Sequence, residues 1–441
     1  MSSMNRRNFI TTGLAAGLAA GSSIRTTSAS PNNVVNVAVV GIRSRGSAHY
    51  EAFSKIPNAR VVTLVDVDES LFPKALKKVS EMGNPKVKTE VDLRRVLDDK
   101  EVDVIATAAP NHWHALQTIW ACQAGKDVYV EKPCSHNIWE GRKMVEAARK
   151  YNRIVQVGFQ NRSIENVRKA VQFLHDGGIG KVYMAKGLCF KPRETIGYVK
   201  DEPVPDGVHY DLWLGPAAYR PFNPNRFHYN WHWYWDFGNG DTGNQGPHQF
   251  DVARWGLGRH EHPVRISSVG GYFAFDSMQQ TPNTQTSVFE YSDGAILEFE
   301  TRGLYTNAED GIEIGNLFYG TEGWMHLNGG TWKTYMGRKN EPGPSMNEVD
   351  AADPSNLAGS GHQPHFHNFI KAVASRKISD LNCDVEEGFR STALPLLANV
   401  SYRLGREVKF DPNIERFVDD DQANGYLSRN YRPPYVVPKE V

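Results

Sequence analysis

Along residues 34–158, short runs of apolar residues alternate with longer stretches whose apolar residues recur every three or four positions. The short Val- and Ile-rich runs predict strands at 34–40, 61–65, 102–107, 127–131 and 154–157. The amphipathic stretches between them predict helices near 47–56, 69–82, 113–124 and 138–150. Because strands that are apolar throughout are buried on both faces, and helices separate them, this region predicts a doubly wound parallel sheet.

After residue 159 the pattern changes to longer strands joined by tight turns, such as Ser292-Asp293-Gly294. We therefore predict a second domain, 159–441, built on a large and mostly antiparallel sheet. Its predicted strands are 181–191, 264–275, 285–291, 295–301, 312–319 and 324–327. Residues 337–361 are rich in Gly, Pro, Asn and Ser, which predicts a long loop. Helices are predicted at 365–375 and 385–403, and an irregular tail is predicted from residue 411.

The composition is that of a folded globular protein. Of 441 residues, 40% are apolar and 23% are charged. The chain carries 50 Lys and Arg against 50 Asp and Glu. Since nucleic-acid-binding domains usually carry a basic excess, this balance argues against a nucleic-acid partner. The four cysteines include no CxxC pair, which argues against a disulfide scaffold or a zinc ribbon.

The first 30 residues have the composition of a removable export leader. Asn5-Arg6-Arg7-Asn8-Phe9-Ile10 is a twin-arginine pattern, an Ala- and Gly-rich stretch follows it, and Thr27-Ser28-Ala29 offers small residues for cleavage. The apolar stretch is too short to span a membrane, which needs about 20 residues. We therefore expect a signal peptide over 1–30, a periplasmic or otherwise exported protein, and no membrane insertion after cleavage. Because this route carries folded proteins, a tightly held cofactor is expected.

A glycine-containing loop follows the first predicted strand. Gly41-Ile42-Arg43-Ser44-Arg45-Gly46 matches G-x-G-x-x-G except that Arg43 replaces the middle glycine. Gly41 permits a tight turn, Gly46 permits close helix packing, and the following helix N-terminus faces a pyrophosphate. Asp66 ends the second strand 20 residues after Gly46, where an acid binds the adenosine ribose. Since this acid repels a 2′-phosphate, NAD is predicted in preference to NADP.

Several further motifs follow that loop in a fixed order. They are Thr107-Ala108-Ala109-Pro110-Asn111-His112-Trp113-His114 and Glu131-Lys132-Pro133, then Gly158-Phe159-Gln160-Asn161-Arg162, the run 234–248 and the stretch 424–434. Together they resemble the Gfo/Idh/MocA family (glucose–fructose oxidoreductase, inositol dehydrogenase and relatives), and the last three resemble its exported branch. The resemblance covers nearly all of the chain after the leader.

The resemblance implies a Rossmann domain followed by an α/β domain with an open sheet. The exposed face of that sheet commonly forms an oligomer interface, so a homodimer or homotetramer is expected. It also implies hydride transfer between a nicotinamide cofactor and a hydroxyl of a sugar or cyclitol, with Lys132 at both the nicotinamide and the substrate. The implied cofactor-binding residues are Gly41, Ile42, Arg43, Arg45, Gly46, Asp66, Pro110, Asn111, His114, Glu131 and Lys132.

One position departs from the family pattern. The family often places an Asp and a His of a D-x-G-x-H motif at the substrate hydroxyl, and here these positions hold Asn244 and His248. An amide orients a hydroxyl but cannot act as a general base. Proton abstraction would then fall to His248, whose ordinary pKa lies near neutrality. Lys132 would donate to the reacting oxygen, so Lys132 and His248 are the predicted catalytic residues.

The segment 227–236 is dense in aromatic residues, which is typical either of a core or of a platform for a sugar. Lys191 and Arg193 end a predicted strand and either reach a substrate oxygen or form a solvated strand end. The predicted substrate-binding residues are Asn244, Gln160, Arg162, Lys191, Arg193, Trp235 and Asp236. The fifteen histidines show no spacing typical of a metal motif, so no metal is predicted.

Three functions remain open from the sequence. The leading one is an NAD-dependent oxidoreductase that acts on a sugar or glycoside hydroxyl, with ring position C3 suggested by family tendency. The second is a redox-neutral glycosidase or lyase that works through a transient 3-keto intermediate. The third is a non-catalytic sugar-binding protein that keeps the fold, and Asn244 is its main support. The products distinguish the first two functions, because the dehydrogenase leaves a keto-glycoside and the glycosidase forms free sugar and aglycone. Mutation of Lys132 or His248 distinguishes the third, because it should abolish turnover in an enzyme but only alter affinity in a binding protein.

Overall fold

The structure is a computed structural model that describes residues 34–346 and 362–441. The predicted leader and most of the predicted loop at 337–361 lie outside these residues. The first region has six strands, β1 (Val35–Val40), β2 (Ala59–Val65), β3 (Lys88–Glu90), β4 (Val104–Thr107), β5 (Asp127–Val130) and β6 (Val155–Val157). Its helices are α1 (Arg45–Ser54), α2 (Phe72–Glu81), α3 (Leu93–Leu97), α4 (Asn111–Gln123) and α5 (Ile138–Lys150).

These strands form one parallel sheet in the order β3-β2-β1-β4-β5-β6, with neighbours parallel throughout. The predicted doubly wound sheet is therefore confirmed. Every residue of β4, β5 and β6 is buried, as expected for strands covered on both faces. The short elements β3 and α3 were not predicted, because β3 is only three residues of polar edge strand and α3 is little more than one helical turn.

The second region contains a ten-stranded sheet. Its strands are β7 (Val182–Phe190), β8 (Arg265–Gly271), β9 (Thr284–Glu290), β10 (Ile296–Arg302), β11 (Ile314–Gly320), β12 (Gly323–Asn328), β13 (Thr331–Met336), β14 (Glu341–Met346), β15 (Val408–Asp411) and β16 (Arg416–Phe417). They lie in the order β14-β13-β12-β11-β7-β10-β9-β8-β15-β16. All pairs are antiparallel except β7 with β10, so the predicted mostly antiparallel sheet is confirmed.

Strand β14 corrects the sequence analysis, which placed its residues in a loop. Its sequence is Glu-Pro-Gly-Pro-Ser-Met, and proline cannot donate to a strand ladder. The strand lies at the edge of the sheet and pairs only with β13, with a register shift between them. An edge strand tolerates proline on the side that faces no neighbour, which is why residue preferences alone predicted a loop here.

The helices of this second region are α6 (Glu165–His175), α7 (Tyr210–Leu214), α8 (Gly240–Asn244), α9 (Gly246–Gly256), α10 (His362–Ser375), α11 (Val385–Leu404) and α12 (Asp421–Asn424). Helix α9 packs on β7, β10 and β11, and α11 packs on β8 and on α5. One face of the large sheet is thus covered, while Val269 and Val288 are exposed on the other. Among the described residues, no helix is both long and apolar enough to cross a membrane.

Helix α10 completes the core of the first region although it lies far along the chain. Phe366, Phe369 and Ile370 belong to the same buried cluster as Val37 and Val39 of β1. The Phe366 ring stacks on Tyr129 of β5 at 4.5 Å between centroids. Residues from the second half of the sequence therefore supply part of the hydrophobic core on which the parallel sheet rests.

Candidate active site

The loop after β1 has the geometry that its glycines require. Gly41 has a φ of 76°, and a Cβ at this position would lie 2.9 Å from the carbonyl carbon of Ala108. A Cβ at Gly46 would lie 1.6 Å from the carbonyl oxygen of Gly41, so the start of α1 can close onto the loop only without a side chain. The backbone between β1 and α1 is therefore held close to the ends of the parallel strands, where dinucleotides bind in such sheets.

Asp66 follows β2 and faces the same loop. Its carboxylate accepts hydrogen bonds from the backbone N–H of Ile42 at 2.8 Å and of Asp68 at 3.1 Å. Burial raises its pKa to about 6, against the lowering effect of these hydrogen bonds. The carboxylate lines a cleft together with Gly41, Arg43 and Pro110. It is thus ionised at neutral pH and has remaining acceptor sites for a ligand diol.

Glu131, at the end of β5, is the centre of a buried hydrogen-bond network. Its Oε1 accepts from Arg45 Nε at 2.7 Å and from Gln160 Nε2 at 3.2 Å, and lies 3.0 Å from His49 Nε2. Burial alone would raise the pKa of Glu131, but the charge of Arg45 and the hydrogen bond from His49 hold it well below its ordinary value. A permanent negative charge therefore lies directly beside Lys132.

Lys132 joins the two regions across the cleft. Its Nζ donates to the backbone carbonyl of Asn244, at the end of α8, at 2.6 Å. Burial lowers the pKa of Lys132 to about 8, while the charges of Glu131 and Asp241 act in the opposite direction and that of Lys191 reinforces the lowering. A lysine with this pKa exchanges a proton close to neutral pH, which suits general acid–base catalysis.

Asp241, in the first turn of α8, is a carboxylate of the second region whose charge acts on Lys132. It accepts a bidentate pair of hydrogen bonds from Arg193, with Nε at 2.8 Å and Nη2 at 2.6 Å. The Arg193 guanidinium also lies 5.6 Å from the centre of the Trp233 ring. This fixed acid–base pair sets the charge on the far side of the cleft from the glycine loop.

Residues 205–231, here called the cover segment, lie over the residues that follow β2. The backbone N–H of Glu69 donates to the carbonyl of Gly207 at 3.0 Å. The backbone N–H of His209 donates to the carbonyl of Val67 at 2.8 Å. His228 Nε2 lies 3.0 Å from Asp68 Oδ2. Part of the segment lines the cleft through Trp213, Phe227, His228, Tyr229 and Trp231. The cleft is therefore closed on one side by the second region.

Other side chains hold the cover segment onto α4. The indole N–H of Trp113 donates to the carbonyl of Trp213 at 3.0 Å, and His112 Nε2 lies 3.0 Å from the same oxygen. Both residues are almost fully buried. The helix that begins at the end of β4 thus serves two purposes, since Pro110 before it lines the cleft and its first turn anchors the cover.

Two domain matches agree with this geometry. Residues 35–159 match the NAD-binding Rossmann fold of the Gfo/Idh/MocA oxidoreductase family, and residues 161–437 match its C-terminal alpha/beta domain. The chain belongs to the Gfo/Idh/MocA family. Its first region is an NAD-binding Rossmann domain, as predicted, and NAD is the cofactor.

Two curated relatives and one solved structure show what this Gfo/Idh/MocA chain is similar to. A levoglucosan dehydrogenase from Pseudarthrobacter phenanthrenivorans is 28% identical over 35% of this chain and 40% of its own. A glycosyl hydrolase family 109 protein from Saccharopolyspora erythraea is 26% identical over 44% of this chain and 45% of its own. The chain thus matches less than half of each relative's length.

The solved structure is the WlbA dehydrogenase of Chromobacterium violaceum in complex with NADH and UDP-GlcNAcA. It superposes with a TM-score of 0.65 at 22% identity, over 87% of this chain and 97% of that one. At this identity the similarity shows the fold. The α/β architecture of the Gfo/Idh/MocA chain, a parallel sheet followed by a large mostly antiparallel sheet, is common to both.

Several predicted Gfo/Idh/MocA site residues come together in the structure. Gly41, Arg43, Arg45, Asp66, Pro110 and Asn244 line the cleft, and Ile42 donates its N–H to Asp66. Asn111 begins α4 directly after Pro110 and is buried. Lys191, after the end of β7, is close enough for its charge to act on Lys132. The cofactor loop, the Glu131–Lys132 pair and the end of α8 therefore form one site.

His248 lies beside this cleft and lines a different cavity. It is on the first turn of α9, and its ring meets that of Phe159 edge-on at 6.3 Å. The cavity that it lines, with Gln160, Gln245 and Asn316, has a volume of about 400 Å³. Asn244 lines the cleft, and the next residue, Gln245, lines this cavity. The structure thus joins Lys132 to Asn244, and His248 lines the adjoining cavity.

Other predicted substrate ligands are engaged elsewhere. Arg162 forms a buried ion pair with Asp251, with Nη2 to Oδ1 at 2.8 Å, and stacks on Trp255. Trp235 and Asp236 line a separate cavity that shares no lining residue with the cofactor cleft. We therefore assign Arg162 a structural role and place Trp235 and Asp236 outside the cofactor cleft. The sequence analysis predicted Trp235 and Asp236 as substrate ligands because the aromatic segment 227–236 with its polar neighbours is typical of a sugar platform.

His114 and Arg45 both contact the turn formed by Glu131, Lys132 and Pro133. The two ring nitrogens of His114 lie 2.7 Å from the carbonyl oxygens of Pro133 and Ala109, and the ring is buried. It therefore fixes the backbone of the Glu-Lys-Pro turn and has no nitrogen left for a cofactor. Arg45 lines the cleft but gives its Nε to Glu131. Both residues act on the site through Glu131, Lys132 or Pro133.

Asp241, His49 and Tyr229 were missed by the sequence analysis. Asp241 lies three residues before Asn244. An acidic residue in this Gly- and Asn-rich run is the sequence feature that could have indicated a site residue. His49 on α1 had none, because only the fold brings it to Glu131. Tyr229 belongs to the aromatic segment, whose members divide between two roles. Phe227, Tyr229 and Trp231 line the cleft, while Trp233 and Tyr234 are core residues.

Histidine clusters give no metal site in the described chain. Within residues 34–346 and 362–441, no three His, Cys, Asp or Glu side chains are grouped so that they could hold a metal ion. His112, His114 and His365 are each buried with a ring nitrogen directed at a backbone carbonyl. Burial lowers the pKa of each of them, so they are neutral structural histidines at physiological pH.

Proposed function

We propose that this protein is an NAD-dependent oxidoreductase that transfers hydride between the nicotinamide and a hydroxyl of a sugar or glycoside. Ring position C3 is part of this proposal. The observation that carries it is Lys132, whose pKa of about 8 and contact with Asn244 place a proton-exchanging group where the Rossmann strands meet the second domain. The levoglucosan dehydrogenase relative supports a sugar as the substrate class.

The residues of the cleft fit NAD. Asp66 offers an ionised carboxylate for the ribose hydroxyls, and a 2′-phosphate there would meet its negative charge. The bare Gly41 and the start of α1 leave room for a pyrophosphate, with Arg43 beside it. When bound, NAD⁺ accepts a hydride from the carbon that carries the reacting hydroxyl.

The chain's own residues handle the proton. In the oxidation direction, neutral Lys132 accepts the hydroxyl proton as the carbon loses hydride, and in the reverse direction Lys132 donates it. Glu131 and Asp241 stabilise the protonated amine from two sides. Asn244 presents its amide to orient the sugar. His248 is the alternative base, and it would have to act from the adjoining cavity.

A redox-neutral glycosidase is a second candidate for the same site. Oxidation at C3 acidifies the proton at C2, so that proton and the glycosidic substituent at C1 can be eliminated together. Water then adds to the resulting C1–C2 double bond, and the same hydride returns to C3, which gives the free sugar and the aglycone. The net reaction then needs a cofactor that stays bound, and the cover segment over the cleft favours retention. The similarity to a glycosyl hydrolase family 109 protein supports this candidate.

One experiment separates these candidates. The mature protein, purified without added nucleotide, is examined for absorbance in the reduced-nicotinamide band and then mixed with a panel of simple glycosides. A keto-glycoside with a lasting spectral change supports the dehydrogenase. Free sugar and aglycone without lasting change support the glycosidase. If added NAD changes nothing with any glycoside, both enzyme functions are overturned and a sugar-binding role replaces them.

Variants of Lys132 and His248 identify the base. Lys132→Met should abolish hydride transfer, whereas His248→Asn should retain it if Lys132 is the base. The matched control is Lys371→Met, because Lys371 is exposed on α10 far from the cleft. If His248→Asn alone loses hydride transfer, His248 and not Lys132 is the base. If Lys132→Met, His248→Asn and Lys371→Met are equally active, neither Lys132 nor His248 takes part in catalysis.

Export and self-association are also proposed. The twin-arginine pattern and the cover over the cofactor cleft both suit a protein exported in its folded, cofactor-loaded state. The exposed face of the large sheet, with Tyr183, Val269 and Val288, suits a homo-oligomer. Cell fractionation with an Arg6→Lys, Arg7→Lys double variant tests the first proposal, and light scattering tests the second.

A further inference from the structure

The cavity lined by Trp235 and Asp236, here called the second cavity, has a volume of about 340 Å³. Its wall comes from both domains, from the turn before α5, from the last turn of α11 and from the tail after α12. The tail belongs to the stretch 424–434, which has no role in the proposed reaction. The volume is that of a small-molecule site.

Two arginines in this wall make no ion pair. Arg403 lies between two rings, with its guanidinium 4.9 Å from the centre of Trp235 and 4.5 Å from that of Tyr426. Arg429 donates to His136 Nδ1 at 3.2 Å and to the backbone carbonyl of Asp236 at 2.9 Å. No carboxylate lies within 4 Å of either guanidinium among the described residues. The stacking holds the Arg403 guanidinium in place while leaving its N–H groups available.

A further donor lies deeper in the wall. Asn239 is only 6% exposed, and its Nδ2 atom has no hydrogen-bond partner among the described residues. Asn137 and His136 also line the cavity, but the Asn137 side chain is engaged by Glu140 and Tyr431, and the His136 ring by Arg429 and the backbone of Trp235. A buried donor is usually satisfied, so Asn239 points to an acceptor-rich ligand.

Two carboxylates act on these arginines from a distance. Asp236 lines the cavity and is paired with Arg220, and its charge also acts on Arg403, while the charge of buried Glu140 acts on Arg429. Among the described residues, neither carboxylate forms an ion pair within 4 Å with Arg403 or Arg429, so both permanently cationic groups keep N–H donors for a ligand. Trp235 and Tyr426 add ring faces of the kind that pack against the C–H groups of a sugar.

We propose that the second cavity binds a small molecule that carries an oxyanion, such as a carboxylated or sulfated sugar, with the oxyanion on Arg403 and Arg429. The site is separate from the cofactor cleft, and the proposal does not depend on the reaction assigned to that cleft. The shared chemistry is an oxyanion on a carbohydrate. A carboxylate and a sulfate or phosphate ester are its two sources.

Calorimetric titration of the full mature protein, with NAD at saturation so that the pyrophosphate position is occupied, tests this proposal. The probes are glucuronate, glucose 6-sulfate and glucose 6-phosphate, with glucose as the neutral control. We expect at least one anionic probe to bind, with affinity reduced about tenfold or more in Arg403→Gln. Arg168→Gln is the matched control, because Arg168 is exposed on α6 and makes no ion pair among the described residues.

A second variant keeps the test decisive if Arg403→Gln does not fold. Ser428→Asp adds a negative charge to the wall without removing any contact of Arg403, and it should also prevent binding of the anionic probe. Preference for glucuronate identifies a carboxylate as the source, and preference for the esters identifies sulfate or phosphate. Binding no tighter than about 10 mM by all three probes, or equal affinity in both variants and wild type, overturns the proposal.

Discussion

The two walls of the cofactor cleft are built by different means. The Rossmann wall presents Gly41, Asp66 and Lys132 from loops that directly follow parallel strands, so the sheet fixes their positions. The opposite wall reaches the cleft through Asn244 at the end of the five-residue helix α8. Asp241, in the first turn of the same helix, is held by a bidentate ion pair with Arg193. The first wall is therefore suited to hold a cofactor of constant shape. The second sets the electrostatic environment of the reacting group and can change with the substrate.

This comparison predicts that chemistry depends most on the residue where the walls meet. Lys132→Met should lower kcat by about 10²–10⁴-fold while NAD binding stays within a few-fold, because the change removes the proton-exchanging group and leaves the glycine loop intact. Steady-state kinetics and fluorescence titration with NADH measure the two quantities. A parallel loss of NADH affinity would mean that Lys132 belongs to the cofactor-binding wall alone.

The Rossmann wall should govern cofactor affinity. Asp66→Asn removes a charged acceptor for the ribose, and we expect NAD affinity to fall about tenfold to a hundredfold with little change in kcat at saturation. The pKa of Asp66 is raised to about 6, so wild-type affinity should weaken as the pH falls below 6 and the carboxyl gains a proton. Isothermal titration at pH 5 and pH 8 checks this, and the variant should show no such pH dependence.

The opposite wall should govern the pH profile. The carboxylate of Asp241 raises the pKa of Lys132, so Asp241→Asn should shift the rise of kcat/KM for oxidation to lower pH. In the wild type this rise should be centred near pH 8, since the neutral amine is the base. At neutral pH the variant should then hold more of the neutral amine, so its kcat/KM for oxidation should be about two- to tenfold higher than that of the wild type. Asp98→Asn, at an exposed position, is the control. An unshifted profile would limit Asp241 to holding Arg193.

The smallest effects should come from the cover segment. His228→Ala removes the contact with Asp68, and His209→Ala removes a more exposed contact with Glu69 at 2.7 Å. Partly exposed ion pairs contribute about 0–1 kcal/mol, so each variant should release NAD no more than a few times faster than the wild type. The increase should be smaller for His209→Ala than for His228→Ala. Stopped-flow displacement of NADH measures these rates. Identical release in both variants and wild type would show that the cover does not retain the cofactor.

The sequence predicted the Rossmann wall well because its determinants are local. Rossmann folds place a glycine before the first helix and an acid at the end of the next strand in nearly the same geometry. Gly41 and Asp66 adopt this arrangement. The strands of this domain were predicted from their apolar runs for the same reason. Only β3 and α3 were missed, where the chain is too short and polar to show a period.

The second wall could not be predicted in the same way because its residues meet through the tertiary fold. Arg193 and Asp241 are 48 residues apart, and nothing in either local pattern shows the pairing. Trp235 is only nine residues before Asn244, yet the turn into α8 directs it to the second cavity. Likewise the charge of Arg162 suggested a ligand contact, but in the fold this arginine forms a buried ion pair with Asp251. Proximity along the chain was a poor guide wherever a loop reverses direction.

The position of α10 sets an order of events during synthesis. Phe366 and Phe369 pack against β1 and β5, so the Rossmann core lacks an aromatic layer until about residue 375 has left the ribosome. The nascent first domain must therefore wait, incompletely packed, while some 200 further residues are made. Assembly of the dinucleotide cleft becomes one of the last steps of folding, and cofactor capture then marks a chain whose two halves are both complete.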